Sequence, residues 1–181
     1  NICEAAFSID GNYCAVDILH KTENGYAIYE VKSSTQKDKE IYAWDVAYQK
    51  YVLSRCGLKV LGTFLVCINN EYVRQGDVDL EQLFKVSDIS EAVDKEFVNV
   101  DTNVKAAKQV LEGNEPDTDL SMGCHDPYDC AFWQYCTKAL PKPSVFNVNG
   151  LHFDKKLALH RSGRDSFESI IDYKLNRIQR M

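Results

Sequence analysis

The chain opens with short apolar runs separated by turn signals. Residues 2–9 are mostly apolar and read as a strand, Asp10-Gly11-Asn12 marks a turn, and residues 13–19 (YCAVDIL) read as a second strand. Glu23-Asn24-Gly25 marks another turn. Residues 26–32 (YAIYEVK) then make a third strand, with Ala27, Tyr29 and Val31 on one face and Ile28, Glu30 and Lys32 on the other. Three strands on two tight turns predict an antiparallel meander. From Glu40 to Cys56 the period becomes helical: Ile41, Trp44, Tyr48 and Val52 recur at three- and four-residue spacing, and Gly57 supplies the stop. Leu58 to Ile68 is nearly all apolar, the pattern of a strand buried inside a sheet. The predicted order is β-β-β-α-β, an α/β (α+β) mixed sheet with at least one helix packed on it.

Beyond residue 68 the pattern loosens. Asn69-Asn70 and Gln75-Gly76-Asp77 are turn clusters, and Leu80, Leu83 and Phe84 suggest a short helical piece. Ser90 to Gly113 reads as a helix with Val93, Phe97, Val98, Val104 and Val110 as a loose apolar stripe, broken by Glu115-Pro116-Asp117. A cysteine-rich stretch follows. Residues 138–150, with Pro141 and Pro143, read as a linker into a more basic, helix-rich segment over 151–181. The expected organisation is a first domain over 1–137, the linker, and that helical segment. The chain opens without Met, at a strand, and closes inside a helical pattern, so it is expected to be a piece of a longer protein.

Composition narrows the class. The 181 residues are 45% hydrophobic and 27% charged, the balance of an ordinary globular protein. With 21 Lys+Arg against 27 Asp+Glu the net charge is −6, which argues against a simple basic nucleic-acid coat but leaves room for a local basic groove. The longest apolar stretch, Val60 to Ile68, is interrupted by Gly62 and Thr63 and is too short to span a bilayer. There is no signal-like N-terminus, and seven cysteines do not make the even framework of a small secreted protein, so the expected setting is a reducing one, the cytoplasm. Cys3, Cys14, Cys56 and Cys67 sit singly among apolar neighbours and read as packing thiols.

Two constellations carry chemistry. In the first, Asp17 interrupts the apolar run Ala15-Val16-Asp17-Ile18-Leu19, where an unpaired acid is costly to bury. The hairpin folds the third strand back on the second, which places Asp17 near Glu30 and Lys32. Two carboxylates at a sheet edge suit a hard cation such as Mg²⁺ or Mn²⁺, and the Val31 backbone carbonyl offers a third oxygen. A lysine beside the ion orients or helps deprotonate a water and stabilises charge on a phosphate. Asp45 and Gln49, four apart on the helix, reach the same patch if that helix covers the third strand. Glu-Val-Lys alone is a weak signal, since a charged pair on a strand is more often just the solvated face of an amphipathic sheet. In the second constellation, Cys124, Cys130 and Cys136 have five residues in each interval, wider than zinc pairs prefer. Three such thiolates suit an iron–sulfur cluster, which usually takes four ligands, although a zinc site and simple packing remain open. Pro127, Tyr128, Phe132, Trp133 and Tyr135 would form an aromatic shell around them. The basic groups Lys37, Lys39, Lys50, Arg55 and Lys59, and the basic residues of the C-terminal segment, read as solvated helix faces or phosphate contacts.

Val16-Asp17-Ile18-Leu19, then Tyr29-Glu30-Val31-Lys32-Ser33-Ser34, then a helix with Gln49, resemble the PD-(D/E)XK nuclease superfamily, and within it the RecB-like branch that includes the CRISPR-associated iron–sulfur exonucleases. Glu4-Ala5-Ala6-Phe7, Asn69-Asn70-Glu71-Tyr72-Val73 and Asp126-Pro127-Tyr128-Asp129-Cys130 resemble an uncharacterised bacterial group of that branch, so that the likeness covers roughly residues 2–137. The resemblance implies a restriction-endonuclease-like sheet and a metal-dependent deoxyribonuclease, an exonuclease acting on single strands or ends. It implies Asp17 and Glu30, with the Val31 carbonyl, as ligands of Mg or Mn, Lys32 as the catalytic lysine, and Gln49 as the helix glutamine. It implies a 4Fe-4S cluster on Cys124, Cys130 and Cys136, with a fourth cysteine and a further acidic residue or histidine from a helix upstream of the first strand. The family's tyrosine four residues after the glutamine is Leu53 here, which leaves the tyrosine's role open between Tyr48 and Tyr51. The alternatives are a nuclease-derived nucleic-acid binding module without activity, and a structural iron–sulfur or zinc domain.

Overall fold

The structure, a computed structural model, describes residues 1–34, 39–126 and 128–174, without the side chains of residues 39 and 40. The chain forms two compact units that divide between Glu115 and Pro116. The cysteine triplet therefore belongs with the C-terminal segment and not with the sheet.

The first unit is a mixed five-stranded sheet in the order β1-β2-β3-β4-β5. β1 (Ile2–Ile9) and β2 (Asn12–Lys21) pair antiparallel across Asp10 and Gly11, which have positive φ of 52° and 75°, as a two-residue hairpin that matches strand twist requires. β3 (Tyr26–Lys32) pairs antiparallel with β2 and parallel with β4 (Val60–Ile68). Helix α1 (Lys39–Arg55) makes the crossover a parallel pair needs. The predicted meander and β-β-β-α-β order are as observed. Gly25 ends the second turn where an added Cβ would lie 2.4 Å from the Lys59 carbonyl oxygen. That approach lets the Tyr26 N–H donate to the same oxygen at 2.8 Å. Opposite Tyr26 is Val60, but opposite Ala27 is Gly62, so the register steps past Leu61 at this point.

Two expectations are corrected. Phe84, read with the short helical piece, and residues 85–88, read as irregular, form β5 (Phe84–Asp88), an edge strand antiparallel to β4 that follows the single-turn helix α2 (Leu80–Leu83). With only Phe84 and Val86 apolar, its alternation is too short to stand out. On α1 the buried face is Tyr42, Ala43, Val46, Ala47, Gln49, Val52 and Leu53, while Trp44 is 53% exposed. The alanines allow α1 to lie close against both the sheet and α3 (Ser90–Glu112), so size is a poor guide to the inward side. Lys50 Nζ bonds Asp94 at 2.5 Å and Tyr51 Oη donates to Asp101 at 3.0 Å, fastening α1 to α3. The core of this unit includes Val16, Leu19, Ile28, Val46, Leu53, Leu65 and Val93.

The second unit has little regular structure: a single turn α4 (Trp133–Cys136) and α5 (Phe153–Arg161). Its core is Val145, Val148, Leu151, Leu159 and Ile170. Residues 138–150, expected as a linker, are built into it: Ser144 and Val145 are buried, and Ser144 bridges to Ser166. The two prolines stiffen the stretch, but Val145, Phe146 and Val148 supply apolar surface that a free linker would leave in water. No helix among the described residues is long and apolar enough to cross a membrane.

The cysteines differ in reach. Cys14 and Cys67 are buried, Cys3 and Cys136 exposed. Burial, with Cys56 beside it, pushes the Cys14 thiol up to about 11, so it is overwhelmingly protonated at pH 8. Alkylation at pH 8 followed by peptide mass spectrometry should modify Cys3 and Cys136 first and reach Cys14 and Cys67 only in denaturant.

Candidate active site

The site is where β2 and β3 part. Their ladder ends at Ile18–Tyr29, while β3 continues beside β4 through Glu30, Val31 and Lys32. Past that point the N–H of Val31 donates to Asp17 Oδ2 at 2.7 Å. A side-chain carboxylate thus replaces the next rung, and it sits in the fork. The distortion extends into β1, where Glu4, absent from the ladder between Cys3–Ile18 and Ala5–Val16, has φ of 51°. A non-glycine residue in the left-handed region is held there by its surroundings.

Within the fork Glu30 is 5% exposed, and both its oxygens are engaged. Lys32 Nζ lies 2.7 Å from Oε1, and Gln49 Nε2 donates to Oε2 at 2.8 Å. Lys32 also lies 3.7 Å from Asp45 Oδ2. Strand alternation carries Glu30 and Lys32 to the helix side, and the i, i+4 spacing of Asp45 and Gln49 turns both onto that strand, as the sequence predicts. Burial works against the charge of Lys32, but the hydrogen bond to Glu30 and the charges of Glu30, Asp45 and Asp17 more than offset it, so its pKa stands above the ordinary lysine value. An ammonium held charged donates hydrogen bonds and stabilises negative charge.

Tyr42 was missed. Its ring lies under Lys32, with Nζ 5.3 Å from the ring centroid, and its hydroxyl meets Ser34 Oγ at 2.7 Å. It stands seven residues before Gln49, on the same helix face, which was the available signal. The two tyrosines considered from sequence point elsewhere: Tyr48 to Asn12 and Tyr51 to Asp101. Val31 contributes its N–H to Asp17.

The donor set fits a hard cation. Asp17 and Glu30 supply two carboxylates, and Gln49 Oε1 is buried with no hydrogen-bond partner, on an amide whose nitrogen is fixed on Glu30. An orphaned buried oxygen on the amide that holds Glu30 is one that a magnesium or manganese ion and its waters would satisfy. Among the described residues, no three His, Cys, Asp or Glu side chains gather as a ready-made cage. No family model, curated protein or solved structure matches the chain.

The remaining expected groups lie apart. In the second unit Cys124 and Cys130 are half-buried and Cys136 exposed, all as free thiols. The Cys130 N–H donates to the Cys124 carbonyl at 2.9 Å, and the Trp133 N–H to the Cys130 carbonyl at 3.0 Å. The backbone is thus drawn into successive turns, but among the described residues the three thiols are not brought together as a ligand group. The expected aromatic shell is open: Tyr128, Phe132 and Tyr135 are exposed, and Trp133 turns instead against His125, Phe146 and Phe153, while Pro127 lies outside the described residues. Of the basic groups, Arg55 bonds Asp10 at 2.7 Å and Lys50 is held by Asp94, while Lys37, the side chain of Lys39, Arg177 and Arg180 lie outside the described residues.

The Glu30–Lys32 pair yields a stability prediction. Lys32→Met leaves a buried carboxylate with only Gln49 and should destabilise the protein by about 3 kcal/mol in urea denaturation. Glu30→Gln in the same chain should recover most of that loss, since the uncompensated charge is then gone.

Proposed function

We propose that this protein is a metal-dependent nuclease that hydrolyses DNA phosphodiester bonds, acting on single strands or strand ends. The observation that carries the reading is the fork: the Asp17 carboxylate on the Val31 N–H, beside a buried Glu30 bracketed by Lys32 and Gln49. Asp17 and Glu30 would hold Mg²⁺ or Mn²⁺, which when bound supplies Lewis acidity toward a phosphoryl oxygen and makes a coordinated water more acidic. Lys32, kept charged by its three carboxylate neighbours, orients the attacking water and stabilises negative charge growing on the phosphate. Gln49 holds Glu30 in place through its nitrogen and offers its buried oxygen to a water. Asp45 and the Tyr42 ring restrain the ammonium from outside. The same reading places an iron–sulfur cluster on Cys124, Cys130 and Cys136 as a structural staple, completed by a ligand from elsewhere, and the protein in the cytoplasm with DNA as its partner.

One observation favours a second reading. Both Glu30 oxygens are already satisfied by protein donors, as in a closed structural ion pair, which fits a nucleic-acid binding module without chemistry. Mn²⁺ separates the two. On the nuclease reading, Mn²⁺ raises the melting temperature of the wild-type chain but not of Asp17→Asn. Labelled single-stranded DNA is then cleaved in Mn²⁺, and Lys32→Ala and Asp17→Asn each lower the rate by about 100-fold or more. A chain that binds DNA and shows neither response to Mn²⁺ is the binding module. Anaerobic reconstitution with iron and sulfide should give visible absorbance that Cys130→Ser abolishes.

A further inference from the structure

The second unit carries an open-mouthed cavity of about 750 Å³, within the size range of small-molecule sites. Trp133 from α4, Phe146, and Phe153 from α5 line it together with His125. These rings form one continuous cluster, with centroids 4.6 Å apart for His125–Trp133, 5.1 Å for Trp133–Phe146 and 5.8 Å for Phe146–Phe153. Lys156 stands three residues after Phe153 on α5, on the same helix face, and also lines the cavity.

Lys156 is the informative group. Its ammonium donates to the Phe146 carbonyl at 2.8 Å, and no carboxylate among the described residues pairs with it. Three cations nearby in sequence do have a carboxylate: His160 has Asp165, Arg161 has Asp119 and Arg164 has Asp172. Burial alone pushes the Lys156 pKa below the ordinary lysine value, with no compensating anion. A half-buried charge without a counter-ion is costly unless a ligand supplies one. Lys142, exposed at the cavity, adds a second positive charge.

We propose that this cavity binds a planar ring that carries a phosphate, a nucleoside monophosphate unit either free or at the end of a strand. The ring stacks on the aromatic wall, as bases of any identity do on aromatic side chains. The phosphate takes the unused donors of Lys156 and the charge of Lys142, and two cations suit a dianion better than a single carboxylate. The site lies wholly in the second unit and does not depend on the chemistry of the Asp17 fork.

The chain has two tryptophans, Trp44 and Trp133, so Trp44→Phe leaves Trp133 as the sole indole reporter. In that 181-residue chain, made inert toward DNA by Glu30→Gln, titration with dAMP should quench Trp133 saturably. Adenosine and inorganic phosphate should each bind at least ten-fold more weakly. Lys156→Met should lower dAMP affinity ten-fold or more, and Lys156→Arg should keep it. Because Lys156→Met removes a packed stem, a second readout needs no variant at this site: dAMP should protect Lys156 from reductive methylation, measured by mass spectrometry. A 5′-phosphorylated oligonucleotide that binds more tightly than dAMP assigns the site to strand ends, and one that binds no better assigns it to the free nucleotide. Absence of saturable quenching by both, adenosine binding as tightly as dAMP, or no protection of Lys156 would overturn the proposal. None of these results bears on metal-dependent cleavage, so the two readings fail separately.

Discussion

A carboxylate as deeply buried as Glu30 cannot stand alone in a protein interior, and much of the first unit is arranged around keeping it accompanied. Lys32 is available only because a strand returns to the same face every second residue. Gln49 is available only because α1, the crossover helix, packs on the side of β3 that carries Glu30. The helix is in turn fastened on its other side by the Lys50–Asp94 and Tyr51–Asp101 bonds to α3. The exposed pairs in that chain of support contribute little energy individually. Their effect is positional, since an amide donor that drifts by an ångström would strand a charge.

The fork is the other half of the arrangement. A sheet ladder normally satisfies each N–H with a neighbouring carbonyl, and leaving one buried and unpaired is costly. Asp17 supplies the missing acceptor for Val31, which allows β2 to veer away while β3 continues along β4. The opening thus comes with its own anionic lining, and the left-handed Glu4 shows how far the neighbouring strand bends to accommodate it.

Much of this was legible in the residues. The meander, the crossover helix and the buried fourth strand follow from period and turn chemistry, and Asp17, Glu30, Lys32 and Gln49 follow from parity and i, i+4 spacing. What escaped depended on packing. Trp44 looks like core by size, yet small alanines decide which side of α1 approaches the sheet. β5 is too brief for its alternation to register, and its place is set by pairing with β4. In the second unit the cysteines draw attention because thiols are rare and chemically loud. The ring cluster is quieter, since Trp133, Phe146 and Phe153 meet only once the proline-bearing stretch has folded back. Lys156 was hidden among other basic residues, and its partial burial at the cavity sets it apart.

Gly25 illustrates how remote the control of a site can be. By admitting the Lys59 carbonyl it lets β3 start alongside β4, just before the register steps between Tyr26 and Ala27. A slip of one residue in that alignment would reverse the sides of β3. Glu30 and Lys32 would then face away from α1, and Tyr29 and Val31 would meet Gln49 in their place. The side on which the charge cluster lies therefore depends on strand alignment as well as on its own members. A chain could keep every acid, base and amide and still lose the constellation through one methyl group.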